Sequence, residues 1–159
     1  MGRNVAAPRS CEHGPSDALR FYTQQQRVWK NMTYYMARTL SLNFDDAVAR
    51  TMAALKTEGF GVLTDIDVKE TMKKKVNADM PSYRILGACN PTLAYEALKL
   101  ESHVGTMLPC NGIVRDAGNG QTEVAAIDPV ASMQAIENPA LKVAAQEVRA
   151  KLERVIANL

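Results

Sequence analysis

Three places in the chain set an Asx residue directly before a proline: Asn90-Pro91, Asp128-Pro129 and Asn138-Pro139. At a helix start, an Asx side chain accepts a hydrogen bond from a first-turn N–H, and proline fills the first helical position, where no N–H is needed. Three helices therefore begin at fixed points, and the apolar runs between them must be something else. The same logic marks two earlier helices. Asn43 caps "NFDDAVARTMAALKTEG", with Asp45 and Asp46 at the positive end of the dipole and Gly59 ending it. Phe44, Ala47, Val48, Met52 and Leu55 share one face of that helix. Asp67 and Glu70 have cap-box spacing ahead of "VKETMKKKV", which predicts a short helix with Val68, Met72 and Val76 turned inward.

What lies between reads as strand. "YYMARTL", "FGVLTDI" and "SYRILGAC" are apolar, partly alternating runs, and "MLPCNGIVRD" joins "QTEVAAID" in a hairpin across Asn119-Gly120. The helix after Asn90 carries Leu93, Ala94, Ala97 and Leu98 as its stripe. The last helix buries Leu141, Ala144, Val148, Leu152, Val155 and Leu159. The order βαβαβαββαα predicts an α+β fold of two layers: a mixed sheet of about five strands with helices packed mainly on one face.

Residues 1–31 have no such period and are rich in Gly, Pro, Ser, Gln and Arg. The expectation is a disordered N-terminal extension ahead of a single domain over residues 32–159, with Met32 as an alternative natural start. Five basic and two acidic residues in that stretch give +3 of a net +2, so the rest of the chain carries −1. A nucleic-acid binder concentrates basic charge on its folded face, and this chain does not, so no nucleic-acid partner is expected. Tyr34, Tyr35, Tyr83 and Tyr95 are also too scattered in sequence for a base-stacking platform. No apolar run approaches the roughly 20 residues that span a bilayer, and the first thirty residues lack an apolar signal core. A cytoplasmic protein with no membrane contact is the expectation. Cys11, Cys89 and Cys110 are too few for a disulfide framework and are expected to be thiols.

The segments "EGFGVLTDIDVKETMKKKV", "YRILGACNPTLAYEAL", "VGTMLPCNGIVRD", "AIDPVASM" and "NPALKVAAQEVRAKLERV" resemble the bacterial and archaeal domain-of-unknown-function family 302. The resemblance runs from about Tyr34 to Leu159. It implies a compact α+β fold that commonly forms a homodimer, and it implies no reaction. The cysteines of the family's "GACNP" and "LPCN" segments are kept as Cys89 and Cys110. Tyr95 stands where many relatives carry histidine, which removes one ligand from any metal or haem site.

Chemistry could sit around those two segments. Cys89 leaves a strand and enters a helix, where free N–H groups favour thiolate and lower a thiol from its usual value of about 8.5. Cysteine is also among the most buried residue types, so packing is the competing explanation. A parallel crossover over Pro91–Glu101 would separate Cys89 from Cys110 by roughly 17 Å, the length of a five-residue strand. A return through His103–Leu108 would make the strands antiparallel and the thiols neighbours, and a dimer could pair Cys89 with the partner's Cys110.

The first expectation for function is a non-catalytic homodimer binding a small molecule or partner near Cys89, Asn90, Cys110 and Asn111, because asparagines at an apolar strand end supply the few polar groups a pocket needs. The second is a thiol-dependent redox protein or minor enzyme with Cys89 as nucleophile and Cys110 beside it. A soft-metal site from His103, Met107 and Cys110 is a third, though it lacks the paired cysteines of a closed site. No cofactor is predicted. With His13 in the extension, only His103 is left for acid–base work.

Overall fold

The caps form as their chemistry demands. In the computed structural model, which describes residues 34–159, the Oδ1 of Asn43 accepts from the Asp46 N–H at 2.9 Å and that of Asn90 from the Leu93 N–H at 3.2 Å. Asp128 and Asn138 cap their helices in the same way. The elements are β1 (Tyr35–Leu40), α1 (Phe44–Thr57), β2 (Gly61–Asp67), α2 (Val68–Val76), β3 (Tyr83–Cys89) and α3 (Pro91–Leu100). A 3₁₀ segment (Ser102–Met107) follows, then β4 (Cys110–Gly118), β5 (Gln121–Ile127), α4 (Pro129–Ser132) and α5 (Pro139–Ala157). The expected extension over residues 1–31, with Cys11, His13 and the Met32 start, lies outside the described residues.

The five strands form one sheet in the order β1-β5-β4-β3-β2. The predicted α+β class and element order hold, but the sheet is antiparallel at every pairing rather than mixed. The reason lies between β3 and β4. Helix α3 carries the chain away, and the 3₁₀ segment brings it back to the same end of the sheet, so Ala88 lies opposite Cys110. Helix α1 takes the chain from one edge strand to the other.

Alternation along the strands splits the sheet into two faces. Leu86, Val114, Val124 and Ala126 meet Leu55, Leu152 and Val155 in the main core, and Leu86 and Val114 are fully buried there. A smaller cluster of Ala97, Val104, Met133, Leu141 and Ala145 joins α3 to α5. Two helix faces differ from expectation. Val76 is 66% exposed and α2 buries nothing, because this two-turn helix reaches only β2 and β3 at the sheet edge. Leu98 is also exposed, since the core contact of α3 narrows to Ala97. Among the described residues, no helix is long and apolar enough to cross a membrane.

Candidate functional site

Cys89 and Cys110 lie on neighbouring antiparallel strands, so the return path is the one the chain takes. Cys110 pairs with Ala88 and faces the helices; Cys89 is the next residue of β3, at the strand's end. Both border a small cavity with Phe60, Leu93, Met133 and Leu141. Its free space is about 30 Å³, room for about one water molecule, and its walls are almost wholly apolar. Both thiols are free.

Their acidity runs opposite to the sequence expectation. Burial pushes the Cys89 thiol up. Cys110 is pushed up to about 11, by burial first and by the nearby Cys89 second. The helix start that was to favour thiolate is already occupied, because the Asn90 side chain takes the Leu93 N–H. Asn90 is further committed to packing: a side chain at Gly59 (φ +81°) would put its Cβ 3.1 Å from the Asn90 Nδ2.

The flanking motif residues also fit one another. A Cβ at Gly87 would stand 2.8 Å from Cγ of Pro109 and would run into the Thr64 hydroxyl. The glycine of "GAC" thus leaves the gap that the proline of "LPC" fills.

Asn111 is elsewhere. It follows Cys110 on β4 and therefore points through the opposite face, into a cleft of about 480 Å³. The described lining of this cleft comes from the strands and the residue before β1. Tyr83, Arg115 and Glu123 sit side by side across β3, β4 and β5, and Ile113 and Ala125 form the next row. Arg115 donates from Nε to Glu123 Oε1 at 2.8 Å. That hydrogen bond, with the charge of Glu123 beside it, raises Arg115 further above its ordinary value. Tyr34 and Tyr35 close one end, their rings edge to face at 4.9 Å. Three of the four tyrosines scattered in sequence are thereby gathered in one place; Tyr95 is not among them. The signal for this site was the alternation Asn111, Ile113, Arg115 against Glu123, Ala125, Ile127, in which the side chains turned away from the helices are not uniformly polar.

The proposed metal ligands do not converge. His103 is almost fully exposed and bonds Glu101 at 3.3 Å, while Cys110 is buried against the helices. Met107 is exposed at the end of the 3₁₀ segment. Among the described residues, no three His, Cys, Asp or Glu side chains form a group able to hold a metal ion.

The sequence profile of a family described as a domain of unknown function, DUF302, matches residues 36–159. A solved structure described as the crystal structure of an uncharacterized conserved protein DUF302 from Bacillus stearothermophilus is similar, with 28% identity and a TM-score of 0.74. The similarity covers 79% of this chain and 98% of that one. No curated protein matches the chain.

Proposed function

The chain belongs to the DUF302 family, whose description assigns no activity, and on that premise we propose that it is a homodimeric binding domain whose site is the strand-lined cleft around Asn111. The observation that carries this reading is the make-up of the cleft: about 480 Å³ beside Asn111 with three placed polar side chains, against about 30 Å³ of apolar space beside Cys110 and a groove of about 370 Å³ beside Cys89 walled mainly by Phe60, Leu63 and Pro91. Small-molecule sites commonly measure about 300–1,000 Å³ and combine apolar walls with a few placed polar groups. Ile113, Ala125 and Ile127 supply the apolar floor, and Asn111, Arg115 and Glu123 the polar groups. A thiol mechanism at Cys89 finds less support, because burial disfavours its thiolate. The homodimer belongs to the same proposal, and the two exposed edge strands, β1 and β2, leave room for it.

Native mass spectrometry of the full chain isolated from its own host tests the reading. The expected result is a dimer with a retained organic mass that Tyr83→Ala releases and Cys89→Ala does not. A mass released by Cys89→Ala instead returns the site to the cysteines and overturns the proposal.

A further inference from the structure

The polar groups of the cleft are unequal in kind. Glu123 engages Arg115 only through Nε, which leaves the two terminal nitrogens of the guanidinium without a partner among the described residues. Tyr35 and Tyr83 line the same cleft as Arg115, and Asn111 opens into it. All of these can donate, whereas the one carboxylate is already taken by Arg115. The floor is a pair of strand rows bearing Ile113 and Ala125, which lie directly opposite each other in the β4–β5 pairing. The walls are tyrosine rings, which pair with other π-systems by stacking or edge contacts.

Resting on the binding reading above, we infer that the cleft takes a flat aromatic molecule presenting an acceptor oxygen, of a carbonyl or a carboxylate, to the terminal nitrogens of Arg115. The end-on face of a guanidinium offers two parallel N–H groups, and an sp² oxygen acceptor matches that fork. The paired Glu123 keeps the immediate site near neutral, so recognition comes from hydrogen bonding and ring contact rather than from net charge.

The test uses the full chain and three probes of one ring system: acetylnaphthalene, naphthoate and ethylnaphthalene. Binding is followed by amide chemical shifts along β4 and β5. Acetylnaphthalene, naphthoate or both are expected to bind roughly tenfold or more tighter than ethylnaphthalene, the worth of one hydrogen bond to a charged group. Arg115→Met is expected to bring the three probes level while leaving ethylnaphthalene unchanged. Both oxygen-bearing probes support the assignment; naphthoate ahead identifies a carboxylate ligand, and acetylnaphthalene ahead a neutral carbonyl disfavoured less by Glu123. Equal binding of all three to the unaltered protein overturns the acceptor class but leaves the cleft as a binding site. Absence of shifts along β4 and β5 with every probe overturns both. The ranking in the unaltered protein decides the matter even where Arg115→Met does not fold.

Discussion

Cys110 makes the interior of the fold measurable through pH. Burial first, and the neighbouring Cys89 second, push its thiol up from 9.0 to about 11 in the folded chain. A group raised by folding contributes stability that is fully present below its unfolded value and is lost as pH climbs through its folded one. Between about pH 9 and 11 the unfolded chain therefore ionises at Cys110 while the folded chain stays neutral. The gap of about two pH units corresponds to about 3 kcal/mol at about 1.4 kcal/mol per unit. Guanidinium unfolding at pH steps from 7 to 11 would read it, with Cys110→Ala as reference. Tyrosines, lysines and Cys89 are present in both proteins and largely cancel in the difference. The expected result is a stability difference that is flat to about pH 8.5 and then moves by about 2–3 kcal/mol against the unaltered protein. Parallel curves throughout would show that Cys110 meets water in the folded state, and the argument from burial would fail.

Two further outcomes concern the same region. Leu86→Ala, at a side chain with no exposed surface in the central part of the sheet, is expected to cost about 2–5 kcal/mol by chemical denaturation. Asn90→Ala is expected to cost about 1 kcal/mol, the value of one helix cap, without changing probe binding in the cleft; a loss of binding would show that Asn90 reaches the ligand.

Local structure was legible in the sequence because its causes are local. Asn43, Asp67, Asn90, Asp128 and Asn138 each cap the helix their spacing predicted. The direction of β4 was not, because it depends on how Ser102–Met107 turns, and that stretch has neither alternation nor a helical stripe. The grouping of the candidate residues was not legible for a different reason. Cys110 and Asn111 are adjacent on a strand, and adjacent strand residues cannot share a face. Reading them as one site followed the order of letters rather than the pleat. Tyr83, Arg115 and Glu123 belong together only through the register of three strands, which no single segment reveals.

The fit of Gly87 against Thr64 and Pro109 also bears on how such chains change over time. Three positions far apart in sequence share one small volume, so position 87 cannot gain a side chain alone. A lineage that gains a side chain at position 87 must first have made room at both position 64 and position 109, and the reverse order passes through a misfit protein. The two cysteine-bearing segments would then drift as a block, and their coordinated persistence among relatives would record a shape constraint on the sheet end rather than a shared reaction.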